Sequence, residues 1–321
     1  MHSKNHHSVT VGITAFNAEN TILRALNSAL LQTHRPIEII IIDDFSTDGT
    51  FKKILNAAKQ YQNIKVFKNN KNYGVAFSRN KIIRESSSDF LIFFDDDDFS
   101  YPKRIQEQLD RIVNYEKKFK IPPLVICHTA REVIYPDNQK IIISAVGENQ
   151  RIKGPSGRAF TKRILLGDYV KNGFGSCATS SQMARLNTYK SVGGFDIRFR
   201  RSEDTDLNIK LAELGCHFIG ISKPLVKQYM LRKSWKSLNS EYKYTLLLFK
   251  KYKYIFDEYG QYYFSKKWIF LKYRWLNHDL KAFFLGVVLL SFSYPLLTFK
   301  RILFSLISFR LNFLFSFFYK A

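Results

Sequence analysis

Cysteine is scarce: the chain has three in 321 residues, Cys127, Cys177 and Cys216, with no paired spacing. That pattern excludes a disulfide framework or a zinc site built on cysteine pairs, and it favours a reducing compartment. Phosphate-binding loops are missing too. No Gly-x-Gly-x-x-Gly follows the first apolar run and no Gly-Lys-Ser/Thr occurs, which disfavours dehydrogenases and P-loop enzymes. Acidic residues are few, 27 Asp/Glu against 50 Lys/Arg, a net charge of +23. Such a deficit calls for an anionic partner: nucleic acid, anionic lipid or a phosphorylated substrate. No nucleic-acid-binding signature accompanies it, so nucleic acid is not expected. Met1 to Ser8 lacks the apolar core of a signal peptide. With His2, His6 and His7 it reads as a disordered polar tail.

What is present is a pattern of short apolar runs alternating with helical periodicity. Val9 to Ile13, Ile37 to Ile42, Ile64 to Phe67 and Phe90 to Phe94 read as buried strands. Ile22, Leu26, Ala29 and Leu30 recur at helical spacing, Asp48-Gly49-Thr50 opens a second helix, and a third runs through Arg79 and Ile83. Strands alternating with helices predict an α/β fold with a mostly parallel central sheet flanked by helices. Ligands in such sheets sit at the carboxyl ends of the strands. Thr14 to Asn17, Asp43-Asp44 and Asp95 to Asp98 all follow strands, so three polar clusters converge on one edge.

Beyond Ser100 the pattern is less regular. A helix through Ile105, Leu109 and Ile112, a strand at Leu124 to Cys127, and a hairpin about Pro136-Asp137-Asn138 are expected. Val146 to Arg158 reads as a mobile loop and Gly173 to Leu186 as holding one strand. A helix from Asp204 to Leu214 turns Leu207, Leu211 and Leu214 inward, leaves Asp206 in solvent and stops at Gly215. From Leu231 to Lys281 there are twelve Lys/Arg and four Asp/Glu, with Trp235, Trp268 and Trp275 among them. This segment predicts two basic amphipathic helices suited to an anionic membrane surface. Ala282 to Phe299 then carries no charge for 18 residues, and apolar runs continue to Tyr319. The tail therefore reads as a helical membrane-associated region, lying in the interface or spanning, with a buried core helix as the alternative.

Four consecutive aspartates repel one another and hold their protons unless a cation is present. A hard divalent ion such as Mg²⁺ takes one or two carboxylates plus substrate phosphates. Extended geometry puts Asp95 and Asp97 on one face, so Asp-x-Asp approaches one ion and one diphosphate. The competing reading is a solvated acidic turn.

Together the segments resemble the family 2 glycosyltransferases, of GT-A fold. The resemblance rests on Val9 to Asn17, Ala29 to Thr33, Ile39 to Thr50, Asn72-Tyr-Gly74, Ser78-Arg-Asn80, Phe94 to Asp98, Pro102 to Ile105, Gly193-Gly-Phe-Asp196 and Glu203 to Leu207. It covers about residues 9–230. It implies that Thr14 and Phe16 line the base pocket and that Asp44 accepts a hydrogen bond from the base while Asp43 supports the turn. Arg79 would face the diphosphate, Asp95 and Asp97 would hold Mn²⁺ or Mg²⁺, and Asp96 and Asp98 would shape the turn or meet the donor sugar. Asp204 matches the catalytic base, beside Glu203. Capping its own helix is the alternative for Asp204, as a helix-surface charge is for Arg79. Phe45 stands where the family often has a smaller residue, and Lys233-Ser-Trp235 where it often has a His, so Arg232 or Lys233 would substitute as a phosphate contact.

The expectation is an inverting, metal-dependent glycosyltransferase of cell-envelope polysaccharide or lipopolysaccharide synthesis. It would use a nucleotide-sugar, UDP-linked by expectation, and a glycan or lipid-linked acceptor at the cytoplasmic membrane face. Its organisation would be a tail (1–8), a catalytic domain (9–230), basic helices (231–281) and an apolar tail (282–321). A nucleotidyltransferase and a non-catalytic membrane-bound sugar-binding scaffold are the competing readings. Oligomeric state leaves no mark on the sequence.

Overall fold

The computed structural model describes residues 7–230 and 238–307. Its first half alternates as expected: β1 (Val9–Ala15), α1 (Ile22–Leu30), β2 (Ile37–Asp43), α2 (Thr50–Ala58), β3 (Ile64–Lys68), α3 (Val75–Glu85) and β4 (Phe90–Asp95). These strands lie in the order β3-β2-β1-β4, all parallel. Both faces are covered, which is why β2 reads as one unbroken apolar run: Ile39 to Ile42 are wholly buried. On one face Val9, Val11 and Ile13 share a core with Ile22, Leu26 and Ala29 of α1. The chain moves outward from β1 to β3 and then returns to β4 on the other side of β1. The strand order reverses there, so a crevice opens at the carboxyl ends of β1 and β4.

The second half corrects the mostly parallel expectation. β5 (Phe99–Ser100), α4 (Arg104–Glu116), β6 (Val125–Ile134), β7 (Lys140–Ile143), α5 (Gly157–Leu166), β8 (Gln182–Arg185), α6 (Leu186–Lys190), α7 (Glu203–Glu213) and β9 (His217–Tyr229) follow. β8 runs antiparallel to β4 and to β6, β6 runs parallel to β9, and β5 pairs antiparallel with β9. The sheet is therefore mixed. β7 folds back on β6 as the expected hairpin.

β9 was not anticipated, and Pro224 explains why. A proline argues against a central strand, but here it faces Ala130 at an irregularity in the β6/β9 register, where a missing N–H is tolerated. Residues 146–158 are not a free loop. The Gly147 and Pro155 carbonyls accept from Gly220 N and Phe218 N at 2.8 and 3.0 Å, lacing the segment to β9. Two side chains of α7 also differ from expectation. Asp206, at the end of the first turn of α7, is fully buried, because residues 206–209 have no solvent face, and Leu214 is exposed, because it falls past the helix end, where Gly215 turns the chain.

By its contacts the chain divides into a unit of residues 1–161 and 170–230 and a unit of residues 162–169 and 231–321. The second contains α8 (Leu238–Lys251), α9 (Lys253–Glu258), α10 (Tyr262–Leu276), α11 (Leu280–Ser293) and α12 (Pro295–Ile307). The first basic helix breaks at Tyr252, and the uncharged stretch breaks at Pro295 as its sequence indicates. No described helix is long and apolar enough to cross a membrane. Arg232, Lys233 and the run Leu311 to Tyr319 lie outside the described residues. Ser8, assigned to the polar tail, donates from N and Oγ to Asp89 at 2.9 and 3.0 Å.

His128 on β6 gives a stability prediction. Its ring is wholly buried and stacked on Phe218 at 6.1 Å. Burial, helped by the charge of Arg131, pulls its pKa down to about 3. Between there and the ordinary value of about 6.5 only the unfolded chain binds the proton, so this histidine costs stability as pH falls through that window. Carboxyls whose pKa values are raised on folding act in the opposite sense. The readout is therefore wild type against His128→Phe: urea midpoints at about pH 7 and pH 5 should show the variant spared about 2 kcal/mol of acid destabilisation.

Candidate active site

At the carboxyl end of β4 the acidic run leaves the strand and turns, with Asp98 N donating to Asp95 O at 3.4 Å. The turn changes the expected alternation. Carboxylate oxygens of Asp95, Asp97 and Asp98 all lie within 4.8 Å of one another. Asp96 points elsewhere, accepting from Phe16 N at 3.0 Å across the crevice between β4 and β1. Burial, with the charge of Asp97, pushes the Asp96 pKa up to about 8. Arg24 of α1 donates to the Asp97 carbonyl, and its guanidinium lies 4.0 Å over the Tyr229 ring.

Asp98 is the member of the trio that the sequence assigns to shaping the turn or meeting the sugar, not to the metal. Its carboxyl is buried, with neither oxygen in a well-formed hydrogen bond. Burial and the charges of Asp95 and Asp97 raise its pKa far more than Arg131 and the Tyr229 backbone lower it. Buried carboxyls in that state call for a cation. Three oxygen donors from three carboxylates suit a hard divalent ion, so the residues present fit Mg²⁺ or Mn²⁺.

Arginines stand behind the trio. Arg104 is wholly buried and donates to Gln108 Oε1, Ser100 Oγ and Phe93 O at 3.0, 2.8 and 3.2 Å; burial pulls its pKa down to about 9. Arg131 of β6 donates to Gln228 Oε1 at 2.6 Å and Ser176 Oγ at 2.8 Å, and it feels the charges of Asp98, Asp95 and Asp204. A signal for Arg131 existed in the sequence: it is the one Lys or Arg of β6, following a buried run from Val125 to Ala130.

Arg79 is no helix-surface charge. It is buried, its guanidinium 5.8 and 5.4 Å from the rings of Phe93 and Phe195. Nη2 donates to Asp95 at 3.1 Å and Nη1 to Glu203 at 2.9 Å. Burial opposes its charge, but Asp95 and Glu203 outweigh that and raise its pKa. The pKa of Glu203 also moves upward, through burial and then the charge of Asp204.

Asp204 sits in the first turn of α7, half-buried, accepting from Thr205 N at 2.7 Å. The capping position belongs to Ser202, in a left-handed conformation at φ 61°. Through Arg79, which bonds both Glu203 and Asp95, the fold brings the start of α7 and the acidic turn to one centre.

Thr14 pairs in register with Asp95 on the neighbouring strand. Phe16 and Phe45 are both 43% exposed just past β1 and β2. Asp43 accepts from Ser46 N at 3.1 Å and so supports its turn. Asp44 is buried and accepts from Asn69 Nδ2, Tyr73 N and Gly74 N at 2.8, 3.1 and 2.7 Å. Gly74, at φ 92°, adopts a backbone conformation that suits glycine.

Residues 10–176 match the model of the family described as Glycosyl transferase family 2, more than half of the chain. The chain belongs to that family. As a member it is a glycosyltransferase. It is 25% identical over 227 residues to the amylovoran biosynthesis glycosyltransferase AmsB of Erwinia amylovora, covering 70% of each protein. To the UDP-Glc:alpha-D-GlcNAc-diphosphoundecaprenol beta-1,3-glucosyltransferase WfaP of Escherichia coli it is 38% identical over 111 residues, 35% of this chain and 43% of that one. The chain thus spans less than half of WfaP. The crystal structure of S. aureus TarS 1-349 in complex with UDP-GlcNAc superposes with a TM-score of 0.56 at 16% identity, covering 74% of this chain and 64% of that one. That likeness shows the fold.

Proposed function

We propose that the chain moves a sugar, with inversion, from a nucleoside-diphosphate donor to a lipid-linked glycan acceptor in cell-envelope polysaccharide synthesis. The carrying observation is that Arg79 bridges Asp95 of the acidic cluster to Glu203, the neighbour of Asp204, while Asp95, Asp97 and Asp98 gather their carboxylates at one point. The names of AmsB and WfaP support envelope polysaccharide as the product class, and that of WfaP supports a UDP-sugar and a diphosphoundecaprenol-linked acceptor. Family membership leaves the nucleotidyltransferase and scaffold readings without support.

Asp44 would accept from the base, with Thr14 and Phe16 beside it and Asp96 setting the Phe16 backbone. Asp95, Asp97 and Asp98 would hold Mn²⁺ or Mg²⁺. When bound, the ion would neutralise the diphosphate that leaves. Asp204 would take the proton of the acceptor hydroxyl as its oxygen bonds to the anomeric carbon. The anomeric bond to the diphosphate breaks in the same event, and its electron pair departs with the nucleotide. The basic, aromatic C-terminal unit supports a site of action at the cytoplasmic face of an anionic membrane.

Thermal-shift measurements with UDP-sugars, with and without Mn²⁺, test this reading. One UDP-sugar should stabilise the protein by about 2.7 kcal/mol at a hundredfold excess over Kd. Asp97→Ala should lose the Mn²⁺-dependent part, and Asp98→Ala should do so comparably. If no nucleotide-sugar shifts the melt, the reading is wrong.

A further inference from the structure

α11 has two unlike faces. One packs on α10: Leu290 is buried with Phe264 and Leu271, and Phe283 and Val287 close around them. Gly286 makes that approach possible, since a Cβ there would collide with Leu271. Asp279 starts the helix by accepting from Ala282 N at 3.2 Å. On the other face Phe284, Val288 and Phe292 form one row at i, i+4 spacing and Leu285 and Leu289 a second, each more than half exposed. Leu296 of α12 continues the strip, 83% exposed. A helix that is apolar on every side belongs in a core or against lipid, and a contiguous patch of this size marks an interaction surface.

Charge identifies the occupant. The described part of this unit carries thirteen Lys/Arg and five Asp/Glu. Lys281 stands one turn before Phe284 and Leu285, and Lys300 one turn after Leu296, where it pairs with Asp168 at 2.6 Å and is followed by Arg301. A second copy would set like charge against like charge, whereas a bilayer rich in anionic lipid offers apolar chains beneath a negative surface. With 14 residues, α11 is about 21 Å long, short of the roughly 30 Å hydrocarbon core.

We propose that this strip of α11 and the start of α12 lies within one leaflet of an anionic bilayer without crossing it. The inference deepens the membrane part of the proposed function and does not depend on the transfer chemistry.

The test is flotation of the full chain with vesicles of phosphatidylglycerol and phosphatidylcholine, and with phosphatidylcholine alone. Binding should require the anionic lipid. Phe292→Glu and Leu289→Glu should each weaken it about tenfold or more, and Lys281→Gln about fivefold. UDP-sugar thermal shifts should be unchanged in these variants, which shows that they fold and separates a failed membrane surface from a failed donor site. Equal binding by Phe292→Glu, or equal binding to neutral vesicles, overturns the proposal. So does a dimer in sedimentation that Phe292→Glu splits, because a second copy then covers the strip. If deleting residues 308–321 creates vesicle binding that the full chain lacks, the chain's own end covers it and the proposal also fails.

Discussion

Replacing Asp204 by asparagine should leave donor binding intact and lower kcat by about 10²–10⁴-fold, the range a positioned general base contributes. The substitution keeps shape. Thr205 N can still donate to the remaining side-chain oxygen, so the first turn of α7 retains its local bond. Under the proposed mechanism, what disappears is the ability to take a proton from the acceptor hydroxyl. Steady-state kinetics paired with calorimetry of UDP-sugar binding separates the two effects. A variant that keeps more than a tenth of wild-type kcat would remove Asp204 from this role.

Arg79→Met should be the most damaging single change to stability among the residues at the site, about 3–5 kcal/mol. The methionine fills much of the space between Phe93 and Phe195, but it leaves Asp95 and Glu203 facing each other without their shared counter-charge. Stranding two partly buried carboxylates costs more than the original pair contributed. Part of the loss should return in Arg79→Met/Glu203→Gln, where one stranded charge is removed. Denaturant midpoints for the wild type, both single variants and the double variant close this cycle. A loss under about 1 kcal/mol for Arg79→Met would mean that the bridge behaves as a surface pair. Activity should fall with stability, since Arg79 ties the end of β4 to the start of α7.

The first half of the fold was legible because its chemistry is local. Ile39 to Ile42 can only be a strand buried on both faces, and the polar residues after each strand mark the ligand edge whatever follows. β9 was illegible because its pairing is not local: Pro224 looks disqualifying until the irregular register with β6 is known. At the site, residue types outran geometry. Asp95 and Asp97 emerge from an alternation argument, yet the run turns, and the turn recruits Asp98 and sends Asp96 toward β1. Arg79 was marked as functional, but no pattern reveals that its guanidinium is held by two carboxylates 108 residues apart in the chain, Asp95 and Glu203. Asp206 shows the reverse error. A carboxylate in a first helical turn usually meets water, and only the packing around α7 puts this one inside.

Three N–H groups already occupy Asp44. A carboxylate offers roughly four lone-pair sites, so one remains, on Oδ2. Under the proposed donor geometry that vacancy acts as a filter: it is satisfied by a base presenting a ring N–H, as uracil does, and not by cytosine, whose corresponding nitrogen is itself an acceptor. A mismatch leaves acceptor against acceptor in a buried place, a penalty of about 1–3 kcal/mol. Base choice would then follow from how thoroughly the protein consumes its own hydrogen-bonding capacity before any donor arrives.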